Sequence, residues 1–355
     1  MGIVMNGTAA TGFGGAAAGI RRPGSPPPGA AAASAAPRSA LVTGLGGGFG
    51  RNGLLLAVGS DGRVYPLYQS NGALFEKPIP FLPPGANVRS LNLFDNVLYA
   101  TNTAGCGDGA VYALDLASHD KTVVKFDLKG AVHGSAGPAV GNDGTVYAQA
   151  DGRLIALTAK TLKEKDHFAM TAPGAGGVTP LVFRRGDKDL VAAAGGSDVY
   201  VLDSTALGGT DHRTPLARAR VEGTVRGAFA SWEDPETGTR WLYAPVSEGA
   251  GAVAAFTYED RDGRPALTPR WTAGGIAAPA PPVVANGLVF ALSTGSGGRA
   301  VLHILNATTG DRVFTSRDIV AGAAHPETGL AVANGRVYFS TLDNTVYCFG
   351  IPTEH

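Results

Sequence analysis

The chain repeats one short pattern seven times. Each copy contains an apolar strand, a turn rich in Gly, Asp or Asn, and a second strand of the kind Val-Tyr-x-Leu. The second strands are centred on seven anchor positions: Tyr65, Tyr112, Ile155, Tyr200, Ala254, His303 and Tyr347. The first and last anchors enclose six intervals that average 47 residues. Repeats of about 40–50 residues with several short strands are typical of propeller blades, which must stack on neighbours to bury their apolar faces.

Turn signals within the repeats predict four antiparallel strands per blade. Asp-Gly pairs, which favour tight hairpins, occur at residues 61–62, 143–144 and 151–152. A further short apolar segment precedes several of the strand pairs, and it begins with Pro138, Pro180 or Pro282. Because proline is tolerated at the first position of an edge strand, we interpret this segment as the innermost strand. The sequence therefore predicts an all-β fold, a seven-bladed β-propeller of four-stranded antiparallel blades.

The two ends of the chain are expected to meet in one blade. Only five residues follow Gly350, too few for an outer strand of blade seven. We predict that residues 40–43 supply it, so that N- and C-terminal strands close the ring and remove an exposed sheet edge. Residues 1–40 contain 8 Gly, 12 Ala and 5 Pro without an amphipathic period. They are predicted to be a disordered arm, and residues 41–355 a single propeller domain.

Charge and composition exclude several classes of protein. Lys plus Arg equals Asp plus Glu at 29 each, so the chain lacks the basic balance of a nucleic-acid binder. The sequence has no apolar run long enough for a transmembrane helix. Two cysteines, Cys106 and Cys348, are too few for a disulfide scaffold or a multi-cysteine metal site. Two unpaired thiols are the simpler interpretation, and a single bridge between them stays open.

One glycine-rich segment has the form of a nucleotide-binding motif. Residues 43–50 read Thr-Gly-Leu-Gly-Gly-Gly-Phe-Gly, which matches the Thr-Gly-x-x-x-Gly-x-Gly pattern that cradles a dinucleotide at a helix N-terminus. A helix should follow, but a second glycine turn at residues 59–62 leaves no room for one. We therefore interpret the segment as a turn between two strands.

The repeats resemble those of the PQQ-like, or quinoprotein-dehydrogenase-like, propellers. The family consensus is Leu-Tyr-Ala-Leu-Asp followed by x-x-Thr-Gly-x-x-x-Trp. Residues 111–115 read Val-Tyr-Ala-Leu-Asp, and residues 302–314 read Leu-His-Ile-Leu-Asn-Ala-Thr-Thr-Gly-Asp-Arg-Val-Phe. The resemblance covers roughly residues 41–350, and no Trp-Asp dipeptide supports the alternative of a WD40 propeller. It implies that aromatic residues at the Trp position dock neighbouring blades: Phe75, Phe126, Phe168, Trp271 and Phe314.

The resemblance leaves two functions open. In PQQ enzymes it would imply a vicinal cysteine pair, a tryptophan floor beneath the cofactor, Ca²⁺ ligands and a catalytic Asp. This chain has no adjacent cysteines, and none of Trp232, Trp241 and Trp271 is a clear floor. We therefore expect a non-catalytic binding or assembly scaffold. The alternative is a PQQ-dependent dehydrogenase, or a fragment of one, with PQQ and Ca²⁺ as cofactors.

Candidate binding residues lie in the segments that lead into the innermost strands. In propellers these segments ring one mouth of the central channel. Here they carry Arg89, His133, Arg226 and His325, which could hold an anionic ligand or a quinone, or could contact only water and backbone carbonyls. A metal shared by His133 and His325 is a further alternative.

The remaining histidines, His119, His167, His212 and His303, are expected at the surface. We predict a monomer with a protein partner or a small anionic ligand at the channel mouth. The resemblance implies a periplasmic or extracytoplasmic location, although no signal peptide is visible, and the cytoplasm stays the alternative.

Overall fold

The protein is described by a computed structural model. It covers the backbone of two N-terminal strands, Ala18–Ile20 and Leu41–Leu45, and residues 53–103, 109–132, 136–170, 177–261, 264–295, 298–325 and 329–350. Within these residues no helix is long and apolar enough to cross a bilayer. Cys106 falls outside them, so the question of a bridge to Cys348 stays open.

The described strands form seven antiparallel sheets, which we call blades 1 to 7. Blade 1 contains Leu41–Leu45, Leu54–Val58, Arg63–Tyr68 and Ile79–Pro80. Blade 2 contains Asn87–Phe94, Val97–Thr103, Ala110–Asp115 and Val123–Asp127. Blade 3 contains Ala139–Val140, Val146–Ala150, Arg153–Leu157 and Glu164–Ala169. Blade 4 contains Leu181–Arg185, Lys188–Gly195, Asp198–Asp203 and Ala217–Arg220.

The other three blades follow the same plan. In blade 5 the first strand is broken into two pieces, Thr224–Val225 and Ala230–Glu233, before Arg240–Ser247, Ala252–Arg261 and Arg264–Gly274. Blade 6 contains Val283–Ala285, Leu288–Ser293, Val301–Asn306 and Arg312–Thr315. Blade 7 contains Ala331–Ala333, Arg336–Ser340, Val346–Gly350 and Ala18–Ile20. A short parallel pair, Val178–Thr179 with Gly227–Ala228, and a 3₁₀ turn, Gly209–Asp211, lie outside the blades.

The predicted seven-bladed propeller is confirmed. From blade 1 to blade 7, the first strand of each blade contacts the first strand of the next, so these strands surround the central channel. Their burial agrees with this position: Val283–Ala285 and Ala331–Ala333 are half-buried throughout. Second and third strands lie between neighbouring blades and are covered on both faces, as in Val146–Ala150, where every residue is buried. This sandwiching accounts for the continuous apolar runs in the repeats.

Aromatic residues join consecutive blades. Trp271 of blade 5 packs over Gly310 of blade 6, where an added Cβ would lie only 2.6 Å from the indole Cδ2. Phe168 of blade 3 packs in the same way over Gly208 of blade 4. These contacts agree with the docking role that the resemblance implies.

Of the other three residues predicted to dock blades, two contact the next blade and one does not. Phe126 packs into the core shared by blades 2 and 3, and the Phe314 ring of blade 6 lies 6.1 Å from the Phe349 ring of blade 7. Phe75 does not dock: it is half exposed, and its ring contacts Tyr68 of its own blade with a centroid distance of 5.5 Å.

The ring closes through a strand that differs from the predicted one. Ala18–Ile20 pairs antiparallel with Val346–Gly350 as the outer strand of blade 7, with Ala18 opposite Cys348. Leu41–Leu45 pairs instead with Leu54–Val58 and is the first strand of blade 1. The prediction that residues 40–43 complete blade 7 is therefore wrong. Residues 41–43 pair with Leu54–Val58, the next strand along the chain, because a short connection brings the two strands together.

Two further N-terminal predictions fall largely beyond the described residues. The division at residue 40 stays a prediction, because residues 1–17 and 21–40 lie outside them. Of the glycine-rich segment, Thr43, Gly44 and Leu45 lie in a strand that runs antiparallel to Leu54–Val58, and residues 46–50 lie outside the described residues, so the turn stays a prediction.

Candidate functional site at the channel mouth

One end of the propeller is defined by its topology. Strand direction alternates within every blade, so the segment that leads into a first strand and the hairpin that joins the second and third strands lie at the same end. We call this end the mouth face. The opposite end carries the hairpins between first and second strands and the loops between third and fourth strands.

Of the four predicted binding residues, the structure describes the side chains of two. Both residues are exposed: Arg226 lies between the two pieces of the first strand of blade 5, and His325 lies in the segment that leads into blade 7. Arg89 lies in the first strand of blade 2 at an irregularity, where Val88 pairs with Asn102 and Ser90 pairs with Thr101. The side chain of Arg89 lies outside the described residues, as does all of His133. Arg226 and His325 are on different blades, and a shared ligand stays a prediction.

Hydrogen bonds between blades hold the mouth-face segments in place. The Thr101 hydroxyl of blade 2 donates to the carbonyl of Ala136, at a distance of 2.8 Å. One residue later, the Gly137 N–H donates to the Thr179 hydroxyl at 2.9 Å. A Cβ on Gly137 would lie 2.1 Å from the Ser90 Oγ, so only glycine fits there. The backbone that leads into blade 3 is thus fixed by both neighbouring blades.

The segment that carries His325 is held in a similar way. The Ala324 N–H donates to the carbonyl of Thr294 in blade 6, at 2.9 Å. On the other side, the Leu342 N–H of the blade 7 hairpin donates to the carbonyl of Ala323, at 2.8 Å. The residues just before His325 are therefore clamped between the hairpins of blades 6 and 7.

Two large apolar side chains are exposed beside this clamp. Ile319, in the segment between blades 6 and 7, is 49% exposed, and Leu342, at the blade 7 hairpin, is 62% exposed. Contiguous apolar patches exposed on a surface are typical of interaction sites. The sequence does not reveal these two exposed residues, because an isolated apolar residue in a loop carries no pattern that distinguishes exposure from burial.

The tryptophans do not form a floor at the mouth. All three are described, and all three pack between blades 5 and 6. Trp232 and Trp241 are cross-strand partners next to the hairpin at the opposite end of blade 5. The Trp271 Nε1–H donates to the carbonyl of Ala307 at 3.1 Å, which the Tyr243 hydroxyl also contacts. These indoles dock blades, and the residues at the mouth therefore do not fit the tryptophan floor expected beneath PQQ.

One histidine is buried against expectation. His303 lies in the third strand of blade 6 and is only 5% exposed, so the prediction that it lies at the surface is wrong. Its Nδ1 has no hydrogen-bond partner among the described residues. Burial, with a smaller effect of the Arg312 charge, lowers the pKa of His303 to about 4.

Three solved structures show folds similar to this chain. One is Sqt1 from Saccharomyces cerevisiae, with TM-score 0.58, 11% identity and coverage of 84% of this chain and 82% of that one. Another is the quinohemoprotein alcohol dehydrogenase from Comamonas testosteroni, with TM-score 0.57, 11% identity and coverage of 85% and 66%. The third is BBS1N in complex with ARL6DN, with TM-score 0.56, 11% identity and coverage of 90% and 94%. At these identities the likeness concerns the fold alone.

Sequence comparison identifies the family. A search of curated proteins finds no match. The family described as outer membrane protein assembly factor BamB matches residues 83–353, which is well over half of the chain. Together with the seven blades and the contact of Trp271 with the Thr-Gly turn at Gly310, this match shows that the chain belongs to the BamB-type family of PQQ-like β-propellers.

Proposed function

We propose that this chain is a non-catalytic scaffold that binds a protein partner on its mouth face. The observation that carries the proposal is the pair of exposed apolar side chains, Ile319 and Leu342, on a clamped backbone beside His325. A partner of matching chemistry would place apolar side chains against this pair and acidic groups toward Arg226. Because about half of each side chain is already covered, burial of the remainder of both is worth about 2–3 kcal/mol before the costs of association.

Two further findings support a scaffold. The tryptophans dock blades and leave the mouth without an indole that could stack on a quinone. BBS1N, which has a similar fold, is described in complex with ARL6DN. Because the matching family is described as an outer membrane assembly factor, we also propose an extracytoplasmic location, which fractionation of cells that express the full chain would test.

Site-specific photo-crosslinking tests the partner. A photoreactive amino acid is placed at position 319 or 342 in the full chain, and cells are irradiated. A matched control carries it at Val313, which is 56% exposed on the outer strand of blade 6 and away from the mouth face. We expect a discrete crosslinked protein from positions 319 and 342 and none from position 313. Equal labelling from all three positions would contradict a mouth-face site.

A cofactor titration separates the scaffold from the alternative of a PQQ-dependent dehydrogenase. PQQ with Ca²⁺ is added to the purified protein, and absorbance and melting temperature are followed. We expect no stoichiometric shift in either. A shift that is lost in Arg226→Ala and His325→Ala variants would replace the scaffold with the enzyme, and a shift that survives in both would place a cofactor elsewhere.

A further inference from the structure

A cluster of histidines and carboxylates joins the outer parts of blades 3 and 4. Glu164, Asp166 and His167 belong to the fourth strand of blade 3, Glu164–Ala169. His212 follows the 3₁₀ turn Gly209–Asp211, in the loop between the third and fourth strands of blade 4. One donor atom each of Asp166, His167 and His212 lies within 4.8 Å of the other two. This loop lies at the end opposite the mouth face, so the cluster is independent of the proposed partner site.

Each imidazole is oriented by its own carboxylate. The His212 Nδ1 lies 3.0 Å from an Asp166 oxygen, and the His167 Nδ1 lies 3.3 Å from a Glu164 oxygen. The two rings are stacked, with centroids 4.4 Å apart and planes inclined by 15°. The His212 Nδ1 also lies 3.1 Å from the carbonyl oxygen of His167. A carboxylate that contacts one imidazole nitrogen and leaves the other for a metal ion is a regular feature of histidine metal sites, and Glu164 holds this position beside His167, whereas Asp166 belongs to the donor set itself.

The carboxylate of Asp166 is itself held by the backbone. The Leu207 N–H of blade 4 donates to Asp166 Oδ2, and the His167 N–H donates to Oδ1, both at 2.7 Å. Asp166 therefore contacts both blades, and its Oδ1 also lies 3.0 Å from the His212 Nδ1.

The loop of blade 4 is built to present His212. His212 has a left-handed backbone with φ of 54°, and its carbonyl accepts the Ala169 N–H of blade 3 at 2.8 Å. A Cβ on Gly208 would lie 2.6 Å from both the His212 carbonyl carbon and the Phe168 ring. The turn thus requires glycine at position 208, and both Gly208 and His212 contact blade 3. These contacts place the His212 ring over the His167 ring.

We propose that Asp166, His167 and His212 bind a divalent zinc ion that links blades 3 and 4. Two imidazoles and one carboxylate form a donor set that Zn²⁺ prefers and that Ca²⁺ and Mg²⁺ do not. Neighbouring ligands of tetrahedral Zn²⁺ are about 3.3 Å apart, since Zn–N bonds are about 2.0–2.1 Å. The half-exposed rings would unstack to reach this spacing, and water or a partner's side chain would occupy the fourth position.

Calorimetric titration of the untagged, EDTA-treated full chain with Zn²⁺ tests the site. We expect one equivalent to bind, with no comparable heat from Ca²⁺ or Mg²⁺. His167→Gln and His212→Gln should each weaken binding at least tenfold, because even loss of an outer-shell partner of a ligand costs about 10–100-fold. His119→Gln, at an exposed histidine of blade 2, is the matched control and should bind as the unmodified protein does.

Spectroscopy provides a second measurement that does not depend on a variant's stability. Co²⁺ in place of Zn²⁺ should give visible bands of a four-coordinate ion and no thiolate-to-cobalt band, which distinguishes this cluster from the cysteines. Circular dichroism in EDTA checks that each variant is folded. The proposal is overturned if the folded protein takes up no Zn²⁺, or if both histidine variants bind it as tightly as the control does.

Discussion

At the scale of single residues, His303 shows how burial changes the chemistry of a side chain. Its repeat position is occupied by tyrosine in four of the seven repeats, and the third strand of a blade is covered on both faces. A histidine there loses solvent on all sides, and burial lowers its pKa to about 4. The neutral imidazole fits the interior, whereas the cation does not.

His303 should make stability depend on pH. The unfolded chain, in which His has a pKa near about 6.5, binds a proton more readily than the folded protein. The part of the stability that depends on neutral His303 is therefore fully present above about pH 6.5, the unfolded pKa, and is lost as pH falls toward about 4, the folded pKa. Between pH 7 and pH 5 we expect the free energy of unfolding to fall by about 2 kcal/mol from this residue.

Urea titration at both pH values measures this loss. His303→Leu should lose about 2 kcal/mol less than the unmodified protein over the same interval. The exposed His119→Leu should keep the original pH dependence. Identical pH dependence in all three proteins would show that His303 does not titrate as its burial requires.

At the scale of elements, the blade junctions combine a local turn with a long-range contact. In blade 6 the Thr-Gly turn places Gly310 at φ of 77° and directly beneath Trp271 of blade 5. The Thr-Gly motif and the aromatic position are both visible in the repeats. The repeats do not show which of the aromatic residues contact the next blade. Trp271 contacts blade 6, whereas Phe75 packs on its own blade. A repeat pattern specifies the residue type but not the path of the adjoining loop.

Gly310→Ala should destabilise the junction of blades 5 and 6. The new Cβ would overlap the indole, and overpacking of this kind costs about 1–3 kcal/mol beyond the backbone strain of about 1 kcal/mol. Gly335→Ala is a matched control, because Gly335 has φ of 70° but no atom within 4 Å of an added Cβ. Denaturant titrations of both variants measure the difference. Equal losses of unfolding free energy in the two variants would show that the Trp271 indole moves aside at no energetic cost.

At the scale of the whole molecule, closure of the ring depends on a strand of three residues. Ala18–Ile20 covers the edge of Val346–Gly350, which would otherwise expose unpaired backbone groups. Ala, Gly and Ile at these positions carry little strand signal, and the partner is more than 300 residues away. Local pattern could not reveal this pairing, which arises only when blade 7 is assembled.

Truncation tests the role of this strand. Removal of residues 1–20 should lower the melting temperature and promote self-association through the open edge of blade 7. Removal of residues 1–17, which keeps Ala18–Ile20, should leave both unchanged. Scanning calorimetry and light scattering measure these effects. If the two truncated proteins behave alike, the ring is closed by other contacts.

The sequence by itself determined the number of blades and the plan of four antiparallel strands in each. These features follow from alternation, turn residues and a repeat of about 47 residues, all of which are local. Only the tertiary structure decided which strand closes the ring, that His303 is buried, and that Ile319 and Leu342 are exposed. It also brought Asp166 and His167 against His212, more than 40 residues away. The physical reason is that burial and proximity depend on how neighbouring blades pack, and a single repeat contains no information about what its neighbour presents.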